Sequence, residues 1–254
     1  MIDIVGLIAP NILWILAIVI GGTLISISVH FISVGGAPAA MAQATGIGTG
    51  TVMLAAGAGI AGIIAAGAVM DLNQDLGVVL GAGGVGAMVM LAATMIVGTW
   101  IYAYGVGVMP VSAKVKYDPI TKYRQDLYVS QGTEGHGIPT VAFVSSLIGG
   151  LLGGFGAALA YYALMKVGTY AYAGVTPLAV HDLNLVGVVA AFTIGFFFIN
   201  SVIPSYNIVG TIEGFHDPKF KRWPKAAVAS FLASIPLGIV AVIAVGALAL
   251  VGGL

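Results

Sequence analysis

Long apolar stretches dominate the chain, and charged residues are confined to the segments between them. No Asp, Glu, Lys or Arg occurs from Ile4 to Met70 or from Leu76 to Ala113. Stretches of about 18 or more apolar residues are typical of transmembrane helices, since about 20 residues cross about 30 Å of hydrocarbon. The pattern predicts six membrane helices, at approximately 4–32, 47–70, 77–108, 138–165, 185–203 and 226–250.

The first and third predicted spans are longer than a bilayer requires. We expect them to be tilted or broken. Glycine pairs are common points of weakness in long helices, and Gly21 is followed directly by Gly22. The sequence therefore predicts that a break in the first span would occur at this pair.

Basic residues predict the orientation of the spans. Eight of the nine lie in the connections between spans three and four and between spans five and six: Lys114, Lys116, Lys122, Arg124, Lys219, Lys221, Arg222 and Lys225. Lys166 lies on the opposite side. Because cytoplasmic loops carry an excess of Lys and Arg, these connections should face the cytoplasm. Six spans then leave both termini outside.

Local similarities indicate that three helical hairpins are repeated, at about 4–70, 77–166 and 184–254. The segment DLNQDLGVV begins at Asp71, and the similar DLNLVGVV begins at Asp182. Matched helices keep the same direction, so an inverted repeat of the kind common in transporters fits less well. The predicted fold is an all-α, polytopic membrane protein that forms a single membrane domain.

Composition excludes several classes of function. Hydrophobic residues make up 59% of the 254 residues and charged residues 7%, whereas soluble domains carry about 25% charged residues. The net charge is zero, so no binding of nucleic acid is expected. The absence of cysteine excludes thiolate metal sites and cysteine nucleophiles. The class that remains is a multi-pass protein of the cell membrane, in contact with lipid.

Small residues recur every four positions in the fourth span. Ser145, Gly149 and Gly153 form one row, and Ser146, Gly150 and Gly154 form a second beside it. Such rows let another helix backbone approach closely. They predict short-range helix packing, and they favour membership of a larger membrane assembly.

Acidic and amide side chains at the outer ends of spans are candidate sodium ligands. Asp71 and Asn73 precede the third span, and Asp182 and Asn184 precede the fifth. Hard cations prefer carboxylate, amide and carbonyl oxygens. The pattern is consistent with an outer cation vestibule; solvated caps at helix ends are the alternative.

The two basic loops share a further element, an acid and a histidine beside glycine. One contains Glu134 and His136, and the other contains Glu213 and His216. The spacing suits an ion or a docking surface that couples the loops to a partner; hydrogen bonding within each loop is the alternative. Within the spans His30 and Asn200 are the strongest polar groups, and no carboxylate is predicted at mid-depth.

Three motifs together carry a resemblance to a known family. GGAPAAMAQATGIGTGTVMLAAGAG begins at Gly35, GVGVMPVSAKV with the following DPIT begins at Gly105, and TEGHGIPTV begins at Thr133. Over nearly its whole length the chain resembles the MtrD family, whose members are membrane subunits of the methanogen tetrahydromethanopterin S-methyltransferase complex. The resemblance implies a complex that transfers a methyl group from methyl-tetrahydromethanopterin to coenzyme M through a corrinoid, coupled to sodium export.

The resemblance also implies a division of labour. The corrinoid and the methyl-transfer steps belong to other subunits, and this chain would bind no cofactor directly and have no catalytic residue. Two hypotheses follow for its role: a subunit that conducts sodium, or a scaffold that holds the conducting subunit. An independent small-molecule transporter is a third, less favoured by the missing inverted repeat.

Overall fold

The computed structural model describes residues 4–32, 43–106, 111–112, 116–117, 122, 124, 135–136, 140–169, 183–208 and 221–251. Its helices are α1 (Ile4–Ile8), α2 (Ile12–Val29), α3 (Gln43–Met70), α4 (Leu76–Trp100), α5 (Thr140–Thr169), α6 (Leu183–Ile208) and α7 (Trp223–Val251). A 3-10 turn at Ala9–Asn11 joins α1 to α2, and a π-helix at Ile101–Val106 extends α4. The short strands β1 (Val111–Ser112) and β2 (Gly135–His136) pair antiparallel.

Within the described residues, five helices are long and apolar enough to cross a membrane. They cover Ile4–Val29, Leu76–Gly98, Phe143–Thr169, Leu183–Asn207 and Trp223–Leu248, and α3 adds a shorter apolar segment at Ala55–Met70. Helices suit this composition because each satisfies its own backbone hydrogen bonds, which lipid cannot do. The predicted all-α, polytopic membrane fold is confirmed.

The expected break at Gly21–Gly22 is wrong. Helix α2 runs without interruption through both glycines. The first span is interrupted earlier instead, at Ala9–Asn11, where Pro10 has no N–H to continue the helix. The Asn11 side chain donates a hydrogen bond of 2.8 Å to the Leu7 carbonyl across this turn. The two glycines serve a different purpose, because close neighbours occupy the space that their side chains would fill.

Helix α5 lies between α2 and α4, and its two rows of small residues face one helix each. In the first row Ser145 donates to the Phe31 carbonyl at 2.6 Å, and an ideal Cβ on Gly153 would lie 2.7 Å from the Ser28 hydroxyl. In the second row an ideal Cβ on Gly150 would lie 3.1 Å from Met88 Cα on α4. The rows therefore serve packing inside the chain.

Glycines also bring three backbones together where α3, α4 and α5 meet. An ideal Cβ on Gly62 would lie 2.8 Å from the Gly83 carbonyl oxygen and 3.3 Å from Gly154 Cα. One on Gly83 would lie 2.5 Å from the Ala158 side chain. Helix association in lipid depends on close packing, because moving an apolar side chain from lipid to a helix interface gains little free energy. This junction therefore holds the three helices together.

Neighbours in sequence are not always neighbours in space. Helix α2 packs mainly against α5 and α7 and hardly touches α3, the next helix along the chain. Helix α3 packs against α4, α5 and α6, while α6 and α7 contact each other. The division into hairpins at 4–70, 77–166 and 184–254 stays a prediction.

The orientation also stays a prediction, and cysteine labelling tests it directly. Because the natural chain contains no cysteine, a single introduced thiol gives a signal without background. In the intact complex, Thr121→Cys should react with an impermeant maleimide only from the cytoplasmic side. Asn184→Cys, at the exposed start of α6, should react only from outside. The reverse pattern would overturn the orientation.

Candidate functional site

The turn between α3 and α4 holds two of the predicted sodium ligands, and local hydrogen bonds already use one of them. Asn73 Oδ1 accepts from the Asp75 N–H at 2.8 Å, and Asp75 Oδ1 in turn accepts from the Val78 N–H at 3.1 Å. Asp75 is thereby the N-cap of α4. This geometry gives Asn73 and Asp75 structural roles in the turn, and Asp71 is an exposed carboxylate beside them.

Asp71 lies at a cavity of about 230 Å³ between α3, α5 and α6. The cavity is also lined by Gly67, Tyr161, Val186 and Ala190. Asn184 lies at the start of α6, two residues before Val186, whereas Asp182 lies outside the described residues. The structure thus places Asp71 and the first turns of α6 at the same end of the bundle.

Lys166 and Tyr162 fasten this turn to the end of α5. Lys166 Nζ donates to Gln74 Oε1 at 2.8 Å, and the Tyr162 hydroxyl donates to the Gln74 carbonyl at 3.1 Å. The same ammonium lies 5.2 Å from the centre of the Tyr162 ring. The turn therefore carries a positive charge close to its acids, which weakens its attraction for a cation.

Of the loop residues that were predicted to couple to a partner, His136 alone falls on a described segment. It lies on β2 and pairs with Val111 on β1. This pairing joins the segment after the third span to the segment before the fourth. Glu134, Glu213 and His216 lie outside the described residues, and the coupling role of all four stays a prediction.

A polar cluster lies deep in the bundle, where α2, α6 and α7 meet. Asn200 on α6 donates to the Phe196 carbonyl at 3.0 Å and accepts from the Ser234 hydroxyl of α7 at 3.0 Å. An ideal Cβ on Gly22 of α2 would collide with that hydroxyl and lie 3.0 Å from Asn200 Nδ2. Asn200 and Ser234 are fully buried.

The cluster continues towards the basic end of α7 through His30. His30 is fully buried, and its Nδ1 lies 3.0 Å from the Ser26 carbonyl oxygen. Because a carbonyl only accepts, Nδ1 carries the proton, and Nε2 then accepts from Asn207 Nδ2 at 3.3 Å. Asn207 also donates to the Arg222 carbonyl at 2.7 Å, and Arg222 donates back to the Asn207 carbonyl at 3.0 Å. Hydrogen bonds thus link α2, α6 and the start of α7.

Two further serines complete this cluster. Ser26 on α2 and Ser230 on α7 are fully buried, and neither hydroxyl has a hydrogen-bond partner among the described residues. An unsatisfied buried polar atom is uncommon and calls for an explanation. We call the whole set the polar seam: Gly22, Ser26, His30, Asn200, Asn207, Ser230 and Ser234.

Comparison with known proteins identifies the family. The family model MtrD, which describes a subunit of tetrahydromethanopterin S-methyltransferase, matches residues 11–234. The chain belongs to the MtrD family. Its relatives include the MtrD subunit of Methanosarcina acetivorans, 64% identical over 94% of this chain and 96% of the relative, and the MtrD subunit of Methanocaldococcus jannaschii, 51% identical over 96% of this chain and 99% of the relative.

Membership of the MtrD family makes the chain one component of a methyltransferase complex, and it implies that other subunits accompany it. The residues that match the family model extend from the first turn of the bundle to Ser234, so they include the whole polar seam. The resemblance inferred from the sequence motifs is confirmed.

Sequence reasoning singled out two members of the seam in this MtrD-family chain, His30 and Asn200, and missed the rest. Serine and glycine are common in membrane helices, so each one alone gives no signal. A periodic signal was nevertheless present. Gly22 and Ser26 on α2 and His30 at its C-terminal cap are spaced four residues apart, and Ser230 and Ser234 are four apart on α7. Polar residues at this spacing share one helix face.

Proposed function

We propose that this chain is a membrane subunit of a sodium-translocating methyltransferase complex of methanogenesis. The complex transfers a methyl group from methyl-tetrahydromethanopterin to coenzyme M and exports sodium. The observation that carries the proposal is the match to the MtrD family over residues 11–234, on a chain that folds as an apolar helical bundle. The corrinoid and the methyl-transfer chemistry reside on other subunits.

Within that complex, the chain forms part of the sodium path. The supporting observation is the polar seam, because it includes the buried His30, and ionisable side chains inside membrane helices typically mark ion pathways or other functional sites. A scaffold without a path needs only the glycine junctions, such as the one formed by Gly62, Gly83 and Gly154. A non-conducting scaffold remains the second candidate, since those junctions are extensive.

An independent transporter is the weakest candidate. Relatives that cover almost the same length are named as subunits of a methyltransferase. A chain that transports a solute alone does not need such an association.

The outer acids provide the first test of the sodium path. With Asp71→Asn and Asp182→Asn combined, we expect sodium transport by the complex in vesicles to slow by about two- to fivefold at low sodium, because carboxylates at a membrane surface raise the local cation concentration only modestly. Methyl transfer to coenzyme M in detergent should be unchanged. Sodium uptake and coenzyme M methylation are measured on the same preparation.

Asp75→Asn is the matched control. It also removes one outer negative charge, but asparagine still caps α4 in place of the carboxylate that accepts from Val78. We expect it to slow transport less than the double variant does, because it removes one exposed outer charge instead of two. Unchanged transport in the double variant would assign Asp71 and Asp182 to helix-end caps and would favour the scaffold.

A further inference from the structure

The two buried serine hydroxyls without partners among the described residues are the starting point. Ser26 Oγ and Ser230 Oγ are removed from water, and serine in a helix normally donates to a carbonyl one turn earlier, as Thr193 and Ser201 do on α6. Leaving a hydroxyl unsatisfied costs free energy that an alanine at the same position would not incur. Two such hydroxyls therefore point to a ligand.

The register between α2 and α7 brings the two hydroxyls to the same level. An ideal Cβ on Gly238 would lie 3.4 Å from Ile18, and Gly22 faces Ser234. Four residues forward along α2 thus correspond to four residues back along α7, as in any antiparallel pair. One more turn in the same direction places Ser26 opposite Ser230.

Helix α6 contributes at the same level. Gly22 lies beside Asn200, and His30 contacts Asn207, so Ser26 lies beside the intervening turn of α6. That turn contains Pro204, which is buried within the helix. Proline has no N–H, so the carbonyl oxygen of Asn200, four residues earlier, lacks its usual helical donor. Freed carbonyls in membrane helices find other partners.

We propose that this level of the polar seam binds one monovalent cation of the size of sodium. Its oxygen ligands come from three helices: the hydroxyls of Ser26, Ser230 and Ser234, the side-chain oxygen of Asn200 and its main-chain carbonyl. All are neutral oxygens, and hard cations accept such ligands. The hydroxyl of Ser234 and the amide oxygen of Asn200 already contact each other, so they orient each other for this role.

The lack of carboxylates on the three helices favours an ion that carries a single positive charge. No Asp, Glu, Lys or Arg occurs in α2 or α6, and in α7 the basic Lys225 lies beyond Ser230 at the end of the helix. A divalent ion without a carboxylate in a low-dielectric interior would be too costly to desolvate. The two ring nitrogens of His30 lie against the Ser26 carbonyl oxygen and the Asn207 side chain, one turn away from Ser26.

This inference rests on the proposed function, because it assigns to the seam the ion that the complex exports. Along α6, the site lies between Val186 and Ala190, which line the cavity at Asp71, and the hydrogen-bonded end of the seam at Asn207. It supplies a buried binding step that uses no carboxylate.

The test compares Ser26→Ala/Ser230→Ala with Ser28→Ala in the whole complex. Ser28 is a buried serine on the same helix, but its hydroxyl donates to the Ile25 carbonyl and faces α5. We expect the double variant to raise the sodium concentration for half-maximal transport about tenfold or more, since losing about 1.4 kcal/mol of binding is tenfold. At the sodium concentration that half-saturates the natural complex, equilibrium binding of radioactive sodium should fall about fivefold, and Ser28→Ala should change neither quantity.

Thermal unfolding separates binding from a structural role. Sodium should raise the melting temperature of the natural complex more than that of the double variant, because a ligand stabilises the state that binds it. Without sodium, the double variant should be at least as stable as the natural complex, since it lacks two unsatisfied hydroxyls. Ser26→Thr, which keeps a hydroxyl, should retain sodium affinity when paired with natural Ser230.

The outcomes are distinguishable. If the double variant binds and transports sodium with natural affinity, the seam holds water or nothing, and the site is overturned while the proposed function stands. If the natural complex itself moves no sodium in vesicles, the proposed function fails. If only stability falls, equally with and without sodium, the serines are structural and the site is likewise overturned.

Discussion

Gly153→Leu is expected to force α5 away from α2 and to destabilise the bundle by about 1–3 kcal/mol, the usual cost of overpacking a filled interior. An ideal Cβ at this position would already lie 2.7 Å from Ser28 Oγ and 3.3 Å from Ser28 Cβ. Leucine adds three further carbon atoms in the same direction. The measurements are the yield of chain in the purified complex and its melting temperature, and both should fall.

Gly81→Leu is the matched control, because it makes the same chemical change on a neighbouring helix. An ideal Cβ on Gly81 meets no other atom within 4 Å. Its effect on the fold of this chain should be small. A stable complex with Gly153→Leu would show that α5 can move away from α2 without loss, contrary to the packing described above.

The adjacent pair Gly21 and Gly22 gives the second large effect. A methyl on Gly21 would lie 2.6 Å from the Gly156 carbonyl oxygen and 3.4 Å from the Ala160 nitrogen, and neither backbone atom can rotate away. The three atoms nearest to a methyl on Gly22 all belong to side chains, those of Ser234, Phe196 and Asn200. We therefore expect Gly21→Ala to lower the melting temperature more than Gly22→Ala does.

A double-mutant cycle with Ser234→Ala checks the cause. Removing this hydroxyl makes room for a methyl on Gly22, so the two changes should couple favourably, by about 0.5–3 kcal/mol, the range for residues in contact. Gly21 faces α5 instead of α7, so Gly21→Ala and Ser234→Ala should be additive. Equal losses from the two glycines, or coupling at Gly21, would contradict this arrangement.

The spans could be predicted from the sequence because lipid imposes one simple requirement, a helix of sufficient apolar length. Packing partners could not be predicted in the same way. The four-residue rows from Ser145 and Ser146 indicate a close approach, but nothing in them shows that one row meets α2 and the other α4. Partner choice depends on shape across three dimensions, and many helix pairs offer small residues.

The same limit explains the errors at specific residues. Gly21 and Gly22 predicted a break when considered alone, whereas in the bundle they admit Gly156 on one side and Ser234 on the other. Pro10, whose missing N–H is a local property, interrupts the first span instead. The outer acids were visible because they are charged. The unsatisfied state of Ser26 and Ser230 becomes visible only when their neighbours are known.

The central position of α5 has a consequence for how the chain is made. Helices enter the membrane in order as the ribosome synthesises them, yet the main partners of α2 are α5 and α7, which emerge later. Until α5 has been translated, α2 therefore lies in the bilayer without its main partners. The glycines and serines that are buried in the finished bundle then face lipid or an insertion factor. Helices α3 and α4 can pair with each other meanwhile. Arrival of α5 then joins α2 to the pair of α3 and α4, and the packing of α2 is completed only when α7 has been translated.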